Sequence, residues 1–141
     1  MEPKILVIAN DVDVRNHLVR SLSGSGLRIF AAPDSGEAFL QLGLFLPDLV
    51  VLDVVPSGAD RWQTLQRVRE ISPVPVIALV SLEDREGRSE SLDWGADSCL
   101  SKPFYVSELQ ARARALLRRV YLNTRSARQA SVGPVYSNRS L

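Results

Sequence analysis

A three-layer α/β sandwich, with helices on both faces of a five-stranded parallel sheet, is the fold class predicted for this chain. Two observations carry the prediction. Short uninterrupted apolar runs, the mark of strands buried on both faces, recur at Ile5-Leu6-Val7-Ile8-Ala9, Leu49-Val50-Val51-Leu52 and Val76-Ile77-Ala78-Leu79-Val80. Segments with helical spacing separate them, and this alternation implies parallel strands joined by right-handed helical crossovers. The length of 141 residues suits one domain, and 45% hydrophobic with 23% charged residues is a globular composition.

The elements follow in order. A first strand over 5–9 gives way to turn and N-cap chemistry at Asn10 to Asp13, then to a helix over 14–22 with Val14, Leu18 and Leu22 on one face. Ser23-Gly24-Ser25-Gly26 stops that helix, and a second strand covers 27–31. Asp34 with Glu37 resembles a capping box, opening a helix that turns Ala38, Phe39 and Leu42 inward and closes at Pro47-Asp48. The third strand ends at Asp53. After a loop over 56–60, Trp62, Leu65, Val68 and Arg69 lie on a helix ending at Ser72-Pro73. The fourth strand spans 76–80, and a polar stretch over 83–91 leads to Leu92, Trp94 and a stop at Gly95. Ser98-Cys99-Leu100 is a brief fifth strand before Lys102-Pro103. A last helix runs over 106–119 with Leu109, Ala113 and Leu116 on one face. Five such repeats make a flavodoxin-like (βα)5 sheet. A domain over 1–121 is therefore expected, with 122–141 a Ser-, Arg- and Asn-rich linker or tail.

In such sheets ligands bind beyond the carboxyl ends of the strands, where strand order reverses. That rule selects Ala9 to Asp11, Asp53, Val80-Ser81 and Lys102. Asp53 ends an apolar strand, where a carboxylate costs free energy unless paired or functional. Lys102 ends another, close enough in this topology to pair with it. A plain salt bridge at the end of the sheet is the simpler reading of the two residues.

The motifs Ile5-Leu6-Val7-Ile8, Val51-Leu52-Asp53-Val54, Pro75-Val76-Ile77 and Gly95-Ala96-Asp97, followed by Ser101-Lys102-Pro103-Phe104, are similar in order and spacing to those of bacterial response-regulator receivers. The resemblance covers roughly four-fifths of the chain. It is closest to the subfamily (OmpR/PhoB) that carries winged-helix DNA-binding domains. It implies that Asp53 accepts a phosphoryl group from a histidine kinase or a small acyl phosphate, with Mg2+ neutralising the phosphoryl oxygens. It further implies a metal site built from two acidic residues after the first strand, the phosphoacceptor and the carbonyl of Val55. Lys102 would balance phosphoryl charge and precede a cis proline, and a strand-four hydroxyl would donate a hydrogen bond.

This sequence departs from that pattern at several places. The acid pair falls on Ala9 and Asn10, which leaves Asp53 as the main anionic ligand for a cation that prefers carboxylates. A slip of frame that brings in Asp11 is the alternative. The hydroxyl position falls on Val80, with Ser81 adjacent, and the strand-five aromatic switch position falls on Cys99. Pro56-Ser57 replaces the usual apolar–proline pair, and Arg61 stands where glycine is common. These losses predict an atypical receiver, with weak or no Mg2+-dependent phosphorylation, over an ordinary one. A phosphorylation-independent dimerisation or protein-interaction module is the competing reading.

The resemblance also implies a homodimer through the fourth helix, fifth strand and fifth helix, with Glu90, Asp97 and Arg112 on the shared face. Arg112, Arg114, Arg118 and Arg119 otherwise read as a solvated helix face. Val132-Gly133-Pro134-Val135 resembles the opening strand of a winged-helix output, so the chain reads as part of a transcription regulator.

Other classes fare worse. A formal net charge of +1 gives no ground for direct nucleic-acid binding by this domain. No apolar stretch approaches the roughly 20 residues of a membrane helix, and the single Cys99 fits a reducing, cytoplasmic setting. A flavin carrier wants a Ser/Thr/Gly-rich loop after the first strand, and Ala9-Asn10-Asp11-Val12 is a poor one. Asp11 and Asp13 have the spacing of a haloacid-type phosphatase, which leaves Asp53 and Lys102 without a role. His17 reads as a solvated helix residue, Cys99 as a small buried one, and Trp62 and Trp94 as partly buried helix residues. Gly24 and Gly26 follow a helix rather than a strand, so they form no phosphate loop.

Overall fold

The computed structural model describes residues 2–24, 26–55 and 61–130. The loop replacement at Pro56-Ser57 and the strand-like segment at 132–135 lie outside the described residues. Five strands alternate with five helices: β1 (Lys4–Ile8), α1 (Val12–Leu22), β2 (Arg28–Ala32), α2 (Ser35–Phe45), β3 (Leu49–Asp53), α3 (Gln63–Ile71), β4 (Val76–Ser81), α4 (Arg85–Asp93), β5 (Ser98–Lys102) and α5 (Val106–Ala130). All neighbouring strands are parallel, in the order β2-β1-β3-β4-β5. The expected five-stranded, doubly wound sheet is the one observed.

Strand pleating divides the apolar residues between two cores. Leu6, Ile8, Val50, Leu52, Val76, Ala78 and Val80 pack on one face against Ala38 and Leu42 of α2 and Leu65 and Val68 of α3. Ile5, Val7, Leu49, Val51, Ile77, Leu79 and Leu100 pack on the other face against Leu18 and Leu22 of α1 and Leu109, Ala113 and Leu116 of α5. Each fully buried Leu or Ile contributes about 1.5–3 kcal/mol of transfer free energy. Burial on both faces is what the unbroken apolar runs require.

Two helix starts match the residues read as caps. Asp11 accepts from the amides of Asp13 and Val14 at 2.8 and 3.1 Å, and Asp34 accepts from that of Glu37 at 2.9 Å. Gly95, at φ +112°, ends α4 where a Cβ would meet Arg69 Cγ at 2.9 Å, so both backbone and space call for glycine. The last helix differs most from expectation, since α5 runs on past 119 to Ala130. The added stretch contains no Gly or Pro, and Arg, Ala, Leu and Gln within it favour helix, so weak amphipathicity does not stop it.

Candidate functional site

The order β2-β1-β3 places the reversal of strand order between β1 and β3. A cleft of about 160 Å³ opens there, lined by Ala9, Asn10, Asp34, Asp53, Val55, Arg61 and Thr64 among others. Pleating gives Asp53 the same face as Val51 and gives Lys102 the same face as Leu100, so both side chains turn toward the α1–α5 side. Lys102 Nζ donates to Asp53 Oδ1 across the carboxyl end of the sheet. Their side chains are 25% and 12% exposed, so the pair is partly desolvated and less screened by salt than a surface ion pair. The Lys102–Pro103 peptide is cis.

The remaining sequence-selected residues surround this pair without joining it. Ala9 is buried and presents only a methyl group, while its carbonyl accepts from Arg15 Nη1 at 2.8 Å. Asn10 lines the cleft, but its amide donates to the Pro33 carbonyl at 3.4 Å. Asp11 is committed to capping α1, so the slipped frame finds its carboxylate already engaged. Val80 is fully buried in the α2–α3 core and offers no donor. The Ser81 hydroxyl donates to Glu83 at 3.2 Å. Cys99 is buried, with no large side chain to swing. Among the described residues, no group of three or more His, Cys, Asp or Glu side chains converges as a metal site. Among those residues, the side chains around Asp53 supply fewer carboxylates than a hard divalent cation prefers.

The three residues assigned to a shared face are occupied within the chain. Asp97 accepts from Arg69 Nη2 at 2.6 Å and from the Val76 amide at 2.8 Å. Arg112 donates to Ser98 Oγ at 2.7 Å and to Glu108 at 3.3 Å. Glu90 accepts from Arg61 Nη2 at 2.7 Å and from the Trp62 indole at 2.9 Å, so it faces α3.

Arg61 is the residue whose weight the sequence least revealed. It borders the Asp53 cleft, and its other terminal nitrogen donates to Asp84 at 2.5 Å. Glu90 above all, and then Asp84, hold its guanidinium above its already high pKa against the opposing effect of desolvation. In turn Arg61, followed by the Trp62 indole, holds Glu90 below the usual carboxylate range. Trp62 is buried, and the Arg61 guanidinium also stacks 4.8 Å from its ring centroid. Arg69, which the sequence places on the third helix without showing its partners, ties α3 to the carbonyls of Val74 and Gly95 as well as to Asp97. Arg67, also on α3, stacks over Phe39.

These features define the class, a flavodoxin-like α/β domain with an Asp–Lys pair beside the reversal of strand order. Within that class the chain belongs to the response regulator receiver domain family, whose model matches residues 5–114. It is 36% identical over 115 residues to the KDP operon transcriptional regulatory protein KdpE of Escherichia coli (strain K12), covering 82% of this chain and 51% of that protein. It is 38% identical over 142 aligned positions to the response regulator MprA of Mycobacterium ulcerans (strain Agy99), covering 100% of this chain and 61% of that one. The chain spans about half the length of most of the curated relatives it matches. The receiver domain of Francisella response regulator 1452 superposes with a TM-score of 0.74 at 29% identity, covering 84% of this chain and 98% of that one. No helix among the described residues is long and apolar enough to cross a membrane.

Proposed function

We propose that the chain is an atypical receiver unit of a two-component transcription regulator, with Asp53 at the phosphoacceptor position and weak or no Mg2+-dependent phosphorylation. The observation that carries the reading is the composition of the Asp53 cleft. A methyl group at Ala9 and a neutral amide at Asn10 stand where two carboxylates would be needed, and Val80 stands where a hydroxyl would be. Loss of a hydrogen bond to a charged group is worth about 1.5–3 kcal/mol. The missing cation ligands add to that.

On this reading residues 1–121 form the receiver unit and 122–141 lead toward an output segment. The unit works in the cytoplasm, a histidine kinase is at most an inefficient donor, and pairing of two copies across α4, β5 and α5 carries the signal. Exposed Leu92 and Trp94 support that last surface. The relatives' names as transcriptional regulators support the output assignment.

Incubation with acetyl phosphate and Mg2+, followed by intact-mass analysis, tests this directly. The native chain is expected to stay unmodified. The double substitution Ala9→Asp/Asn10→Asp is expected to raise Mg2+ affinity at least about tenfold and to allow a phosphoryl adduct at Asp53. Stoichiometric modification of the native chain would overturn the reading.

A further inference from the structure

Helix α4 is attached to the domain differently from every other helix. The apolar side chains buried by α1 are Leu18 and Leu22, by α2 Ala38 and Leu42, by α3 Leu65 and Val68, and by α5 Leu109, Ala113 and Leu116. The only buried residues of α4 are Gly87 and Ser91, and its one large apolar residue, Leu92, is 50% exposed. A nine-residue helix with no apolar anchor has too little burial to offset the entropy of ordering it. What holds it is polar. Asp84 at its N-cap and Glu90 on its second turn grip the two terminal nitrogens of Arg61, and Trp62 donates its indole N–H to Glu90.

We propose that α4 is a conditionally docked element, held on the domain by a charge latch centred on Arg61. Arg61 and Asp84 side chains are each 11% exposed, so the contact is shielded from screening and its loss strands a desolvated carboxylate. The latch gates the face formed by α4, β5 and α5, because undocking α4 removes one of its three elements. It stands whether or not Asp53 is ever modified, so the phosphorylation reading and the latch fail independently.

Gly87 belongs to the same device. It sits within α4, where alanine is ordinarily the better residue. A Cβ there would lie 2.7 Å from Asp84 Cγ, and that carboxylate cannot swing away while Arg61 and the Gly87 amide hold it. Glycine at this position makes room for the latch.

Amide hydrogen exchange on the full chain tests the proposal. In Arg61→Gln, amides of residues 85–93 are expected to exchange roughly tenfold to a hundredfold faster, the factor set by losing charged hydrogen bonds, while β1 and β3 stay protected. Gly87→Ala is expected to accelerate the same amides, although alanine favours helix. Unchanged α4 exchange in Arg61→Gln with protected strands would overturn the latch, as would slower exchange in Gly87→Ala. Should Arg61→Gln lose strand protection as well, Gly87→Ala, which keeps every charge, decides alone. Acceleration confined to α4 then supports the latch, and unchanged or slower exchange defeats it.

Discussion

Asp53 and Glu90 are both carboxylates facing a cation, but their surroundings give them different work. Asp53 meets Lys102 at the carboxyl end of the sheet, on the wall of a cleft it shares with Asn10, Asp34 and Thr64. Glu90 meets a guanidinium and an indole at the N-terminal end of α3, and Arg61 depresses its pKa. A depressed folded value makes the contribution of Glu90 complete above the ordinary carboxylate pKa of 4.5 and lost as pH falls through the lower folded value. The Trp62 indole proton reports that contact, with Asp84 the other titratable group facing Arg61. Its NMR resonance is expected to hold steady from neutral pH down to 4.5 and to move only below it. Glu90→Gln should remove the acid limb. A midpoint near neutral pH would contradict the assignment.

At the scale of the element, helix ends reward reading from sequence more than helix docking does. Asp11 and Asp34 sit where their side chains accept from free amides, and capping chemistry is local enough to see in a sequence. The attachment of α4 was not legible, because Arg61 finds its partners 23 and 29 residues away and leaves no periodic trace. The end of α2 holds another surprise. Leu46 takes a left-handed conformation, φ 48°, with 73% of its surface exposed. A non-glycine residue there costs about 1–2 kcal/mol, part of which glycine returns as unfolded-chain entropy. Leu46→Gly is therefore expected to stabilise the domain by about 0.5–1 kcal/mol in urea unfolding. A loss of stability would show that the Leu46 side chain packs more than its exposure indicates.

For the whole molecule, the sheet was legible because burial on both faces forces continuous apolar strands, and strand order follows from few permitted topologies. The Asp53–Lys102 pair was legible for a related reason, since a charge closing an apolar strand needs an explanation. Departures at Ala9, Asn10, Val80 and Cys99 were visible as residue types, while their hydrogen bonds were not. The extent of α5 escaped because the apolar spacing of Leu109, Ala113 and Leu116 carries on only to Val120 in the sequence, and the residues after it are mostly polar. Shortening the chain to 1–121 is accordingly expected to change unfolding stability by less than about 0.5 kcal/mol. Ending it at 112 removes Ala113 and Leu116 and should abolish cooperative folding.

The proposed weakness of Asp53 as a phosphoacceptor rests on Ala9, Asn10 and Val80, which supply neither carboxylate nor hydroxyl where a receiver uses them to hold Mg2+ and a phosphoryl group. A two-dimensional amide NMR titration with Mg2+, then beryllofluoride as a phosphoryl mimic, tests it most directly. Mg2+ is expected to bind only on the order of tens of millimolar, with no beryllofluoride response at Asp53, Val80 or Lys102. Saturable shifts at those residues, spreading to α5, would contradict it and show a working receiver.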